Sequence, residues 1–243
     1  MQDKIFTTAM ERISLTNLLR FLFWSAVGGL TLYFIAGHLV KYTTKGIPDF
    51  FGDTFWNKRL WFYIHIAGGS LAIIIGPFQF WKRIRIQYVK FHRTAGKLYI
   101  IGSILAVIGL VRILPDSLCM ACRPSQFIVT PLWLLTTIAA WWAIKRRNIK
   151  AHRQFMARSY LFAFYFVAVR VLDRVGEALL PFVKKDSGWY ANTDWLVWVV
   201  PLIILEIYQT WLPSLNLKTV GYKKAADTTN VKSATINKIA QKK

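Results

Sequence analysis

The residues of this chain whose types and spacing could do chemistry are four histidines, two cysteines and a few charges, most set among apolar residues. His38 follows Gly37, and His65 is followed by Gly68 and Gly69, both inside long apolar runs. An imidazole in that setting can ligate a haem iron, hydrogen-bond a quinone or carry a proton. A b-type haem needs two neutral imidazoles from two helices at one depth, with small neighbours leaving room for the macrocycle. His65 and its glycines meet half of that description, and His38 is the candidate for the other half. His92 and His152 form a second pair, better matched in depth but at the edge of the apolar runs. Their plainer roles are contact with lipid headgroups or loop hydrogen bonds beside Arg93 and Arg153.

Charged residues inside the apolar runs carry the same kind of weight. A central Arg costs ~2.5–3.5 kcal/mol on insertion scales, so each such group needs a partner or a purpose. Arg112 closes the third run, and Arg170, Asp173, Arg174 and Glu177 share one half of the fifth. Asp173 and Glu177 are four apart, and Arg170 three before Asp173, so the three share a helix face. They read either as a structural ion-pair network or as the lining of a polar cavity for a quinone, another cofactor or a small solute. The cofactor-binding candidates are therefore His65, His38, His92, His152, Arg112 and Arg170. His65, Arg112, Arg170 and Asp173 are expected to point into a pocket between the second, third and fifth runs. Cys119 and Cys122 fit a local disulfide, a redox pair or half of a zinc site. No complete set of metal ligands and no catalytic motif stands out, so enzyme and non-enzyme readings both stay open.

The elements that must position these groups are membrane spans. Crossing ~30 Å of hydrocarbon takes about 20 apolar residues in a helix. Six stretches qualify: Leu18–Val40, Leu60–Trp81, Gly96–Leu114, Phe127–Ile144, Phe155–Leu180 and Asp194–Leu212. The fold class is thus all-α, an integral membrane bundle of six transmembrane helices in one membrane domain, 18–213. Residues 1–17 mix apolar and charged positions at helical spacing and read as a cytoplasmic interfacial segment. Residues 214–243 read as a basic, disordered cytoplasmic tail. Lys and Arg fall 22 on the face that holds both termini and seven on the other. The positive-inside rule then puts both termini in the cytoplasm, as a multi-pass protein of a bacterial inner membrane. The net charge of +21 is accounted for by topology and implies no nucleic-acid partner.

Lys90-Phe91-His92-Arg93 recurs sixty residues on as Lys150-Ala151-His152-Arg153, with Tyr99 and Tyr160 seven and eight residues after their histidines. Spans two and three thus match spans four and five in direction and ending, as parallel repeats about an axis along the membrane normal. The repeat predicts His92 and His152 as neighbours. At these residues the chain resembles an uncharacterised family of bacterial polytopic membrane proteins, the domain of unknown function 2306. The likeness rests on His65 with Gly68 and Gly69, on the run from His92 to Tyr99, and on the run from His152 to Tyr160. It implies the fold and carries no activity with it. Two readings follow: a membrane redox protein that binds haem or quinone, and a non-enzymatic subunit of a membrane complex or an oligomeric small-solute permease. Topology is the sharpest expectation: a reporter fused after Ser214 should read out as cytoplasmic, while a periplasmic signal overturns the span count.

Overall fold

The computed structural model describes residues 15–40, 44, 58–116, 119–179 and 186–215. Most of the expected interfacial segment 1–17 and of the tail 214–243 lies outside the described residues. Everything regular among the described residues is helix: α1 (Leu15–Phe34, continued by a π-helical turn, Ile35–Leu39), α2 (Arg59–Phe80), α3 (Lys82–Gln87), α4 (Val89–Ile113), α5 (Arg123–Lys145), α6 (Ile149–Leu179) and α7 (Ser187–Glu206, continued by a π-helical turn, Ile207–Trp211). Hydrocarbon offers no partner to a bare N–H or C=O, so a spanning chain closes its hydrogen bonds within the helix. Five described helices, α2 and α4 to α7, are long and apolar enough to cross a membrane, and α1 carries a shorter apolar stretch, Phe21–Gly37. Pro77, Pro131 and Pro201 all sit inside spanning helices, as their neighbours' packing allows.

The helices outrun the apolar spans on the face that carries the basic turns. α4 starts at Val89 and α6 at Ile149, so His92 and His152 belong to opening helical turns and not to loops. The intervening residues are long and basic, and they keep the helix while their charged ends reach the interface. Between α2 and α4 lies the short basic helix α3. Between α5 and α6 the chain reverses through Arg147, in the left-handed region at φ 60°, and Asn148 caps the next helix by accepting from Ala151 N–H at 3.0 Å.

The chain divides after Trp198. Residues 1–198 hold α1 to α6 and the beginning of α7. Within them α2 packs chiefly on α4 and α5 chiefly on α6, with α4 against α5 and α6 against α2 closing a four-helix core. These are the two hairpins read from the repeat. Residues 199–243 begin with the rest of α7, where Thr210 donates to Glu206 at 2.9 Å.

The α2–α4 contact is a backbone-to-backbone one. A Cβ on Gly68 would stand 2.5 Å from the Gly102 carbonyl oxygen and 2.6 Å from Ala106 N. One on Gly109 would stand 2.5 Å from the Trp61 oxygen and 2.7 Å from His65 N. Small residues at such spacing let membrane helices approach closely enough for dispersion to hold them. Gly68→Ala should therefore cost ~1–3 kcal/mol of stability, the usual range for overpacking. Gly28→Ala, with nothing within 4 Å of its Cβ, should leave thermal unfolding in detergent unchanged.

Candidate functional site

His65 sits on α2 where the glycine contact holds that helix against α4. Its Nδ1 lies 2.9 Å from the Ala106 carbonyl oxygen. A carbonyl only accepts, so Nδ1–H donates and the neutral ring carries its free lone pair on Nε2. Nε2 has no protein partner among the described residues. The edge of the ring meets Phe166 of α6, centroids 5.5 Å apart. Beside it is a cavity of about 30 Å³, lined by Phe34, His65, Gly69, Ser70, Trp133 and Phe166 among others. That volume has room for water, and apart from His65 and Ser70 the wall is aromatic and aliphatic.

The cavity lies between α1, α2, α5 and α6, and α4 contributes none of its lining. Sequence reasoning placed the pocket between the second, third and fifth spans. The third span (α4) is excluded because its glycines bring it flush against α2. Gly68 is consumed by the same contact, so only Gly69 of the pair faces the cavity.

Arg112 and Arg170, expected to join His65, are both exposed and absent from the cavity wall. The Arg112 guanidinium lies 5.7 Å from the centroid of the Trp61 ring, a contact that lets a cation rest at a span end. Arg170 was expected to pair with Asp173 or Glu177; it lies within electrostatic range of Asp194 on α7. The side chains of His38, Arg174 and Glu177 lie outside the described residues. A second axial imidazole at the depth of His65 is therefore not among the described side chains.

Two polar groupings appear that the sequence did not announce. The first is a buried chain between the hairpins. Thr137 donates to the Trp133 carbonyl at 2.7 Å, which uses its only proton. Ser159, 2.7 Å away, must then donate to Thr137, and Tyr99 must donate to Ser159 at 2.8 Å. Ser103 Oγ and Trp133 Nε1 approach the Tyr99 oxygen but fall outside hydrogen-bonding geometry. Tyr99 and Ser159 are sixty residues apart, the offset of the His-Arg repeat, so equivalent positions of the two hairpins meet at the axis between them. The second grouping ties α5, α6 and α7 on the face opposite the basic turns. Tyr165 donates to Asp194 Oδ2 at 2.6 Å, Ser125 to the Asp194 carbonyl at 3.2 Å, and Trp198 Nε1 to Ser125 at 2.9 Å. Asp194 had been read only as the first residue of a span; a carboxylate at that place was the available signal.

On the basic face, His152 Nδ1 donates to the Ala140 carbonyl at 2.9 Å. His92 lies within electrostatic range of His152, Arg85 and Arg93, so the neighbourhood read from the repeat is present. Cys119 and Cys122 are joined by a disulfide. Lys58 pairs with Asp116.

These features define an all-helical integral membrane protein with one histidine cleft and a polar seam between paired hairpins. The family model described as predicted membrane protein (DUF2306) matches residues 62–209, from α2 into the π-helical turn after α7. The chain belongs to this family. No curated protein and no solved structure matches it.

The seam makes a stability prediction. Tyr99→Phe should cost ~1 kcal/mol, and Ser159→Ala, which strips Tyr99 of its acceptor and Thr137 of a donor, ~1–3 kcal/mol. The double variant should lose less than the sum, measured by unfolding in detergent, because the two changes break one shared bond.

Proposed function

We propose that this protein is a membrane redox protein whose His65 cleft receives the headgroup of a quinol or quinone. The single observation that carries the reading is the His65–Ala106 bond, which fixes the ring so that a lone pair on Nε2 is left over at an aromatic-lined cleft. A neutral imidazole held in this way accepts a hydrogen bond from a quinol hydroxyl, and its protonated form, still bonded through Nδ1, donates one to a quinone carbonyl. The aromatic walls at Phe34, Trp133 and Phe166 match a flat ring in shape and polarity. Entry of a ring requires the lining side chains to move apart, since the resting cavity has room only for water.

Haem fits less well. The Gly68 contact closes the gap a macrocycle would need, and His65 has no counterpart imidazole among the described side chains. The roles expected for Arg112 and Arg170 in cofactor binding are not carried into this reading, since neither lines the cleft. The reading also keeps the basic face cytoplasmic, in a bacterial inner membrane, on the charge asymmetry. A second reading, a non-enzymatic subunit or an oligomeric permease, is favoured by one observation: the resting cavity is small, about 30 Å³.

Decylubiquinol titrated against the purified protein in nanodiscs should quench tryptophan fluorescence saturably, through Trp133 in the cleft wall. His65→Gln should weaken that binding roughly tenfold, the loss of one buried hydrogen bond to a polar ligand. Absence of saturable quenching, together with a reduced-minus-oxidised spectrum free of a haem band, overturns the redox reading and leaves the structural one.

A further inference from the structure

The two basic turns come together with no carboxylate of their own. The sequence from Lys82 to Lys97 and from Lys145 to Arg158 holds twelve lysines and arginines, two histidines and no carboxylate. Arg85 of α3 lies within electrostatic range of Arg153 of α6, and burial and that neighbour both lower its pKa. His92 lies within electrostatic range of Arg85, Arg93 and His152, and the Tyr99–Ser159 bond two turns along brings α4 and α6 together at this end of the hairpins. None of Arg85, Arg93 and Arg153 forms an ion pair among the described residues. Like charges at such range repel, and the cost is largest where burial removes screening.

Helix ends add to the imbalance. α4 and α6 both begin on this face, 25 and 31 residues long, and neither carries an acidic residue in its first turn. A helix N-terminus presents unpaired N–H groups and about half a positive charge, which an acidic side chain or a bound anion offsets. Here two such ends lie at the repeat's paired turns, the α6 end capped in part by the neutral Asn148 and the α4 end with no side-chain cap. His92 Nδ1 is buried and has no hydrogen-bond partner. His152 has Nδ1 committed to Ala140, which leaves Nε2 over. Each feature lacks the same thing, an anion with several acceptor oxygens.

We infer that Arg85, His92, Arg93, His152 and Arg153 form a phosphate-binding site where the two hairpins' basic turns meet. Arginine forks and helix N-termini both match a tetrahedral oxyanion, and a histidine contributes one further N–H. The phosphate belongs either to the headgroup of an anionic lipid or to a soluble phosphate. In both cases it joins the turns of the two hairpins, so its effect is to clamp them. The site is independent of the His65 cleft, on another face and with different residues.

The test uses the full chain in nanodiscs of phosphatidylcholine alone or with phosphatidylglycerol, and thermal unfolding as the readout. Phosphatidylglycerol should raise the melting temperature of the wild type, and Arg85→Gln/Arg153→Gln should reduce the apparent affinity for it roughly tenfold. The charge-matched control is Arg83→Gln/Lys145→Gln, whose side chains are engaged elsewhere, with Gln87 and with the Trp141 ring. It should keep the wild-type response. If the double variant does not fold, Arg153→Gln alone, on an exposed side chain, takes its place. Inorganic phosphate added to phosphatidylcholine discs distinguishes the sources: stabilisation there assigns a soluble phosphate, and a response to phosphatidylglycerol alone assigns a lipid. Equal melting in both lipids with no response to phosphate overturns the site, and so does a control that loses as much as the Arg85/Arg153 variant.

Discussion

The close approach of α2 and α4 sets much of what surrounds it. Two helices in lipid have no hydrophobic reason to associate, because the acyl chains are as apolar as their own side chains. What remains is dispersion at short range, and it requires backbones to touch. Gly68 against Gly102 and Gly109 against Trp61 and His65 provide that contact. The same contact brings the Ala106 carbonyl within reach of His65 Nδ1, and so decides the tautomer and the direction of the ring. The cleft is displaced to the other side of α2, toward α1, α5 and α6, because no space is left on the α4 side.

Polar side chains do the corresponding work between the hairpins. Tyr99, Ser159 and Thr137 pass their protons in one direction and end on a backbone carbonyl, so no donor along the row is left over. Leaving any one unpaired in a buried site costs more than the bond itself contributes, which makes the row a register mark for hairpin against hairpin. Tyr165, Asp194, Ser125 and Trp198 act likewise between α5, α6 and the start of α7. Specificity in this bundle therefore comes from a few satisfied polar contacts, and closeness from small residues.

Charge is distributed by the opposite logic. Inside the bundle the polar groups are nearly all neutral hydroxyls and amides, while the lysines and arginines gather where the helices meet water. Several lie over aromatic rings, as Lys145 does over Trp141 and Arg146 over Trp142, the arrangement that holds a cation at an interface. The turns at Arg85 and Arg153 depart from this, since their cations lie within electrostatic range of each other.

The sequence by itself determined the class, the spans and the pairing of hairpins. Those follow from one-dimensional quantities: apolar run length against bilayer thickness, basic residues against apolar ends, and a repeat offset of sixty that reappears as the Tyr99–Ser159 contact. It also put His92 beside His152, because equivalent ends of like-directed hairpins must meet. Only the tertiary structure decided which side of each helix faces which neighbour. Position along the spans suggests a common depth for Arg112, Arg170 and His65, but depth says nothing of azimuth: both arginines are exposed, Arg112 over Trp61 and Arg170 within electrostatic range of Asp194. Gly68 read as room for a ligand and is room for a helix, a difference invisible until the partner backbone is in place. Ser159 and Thr137 gave no signal of their own, since a hydroxyl near a span becomes a partner only when packing brings its counterpart within 3 Å or so.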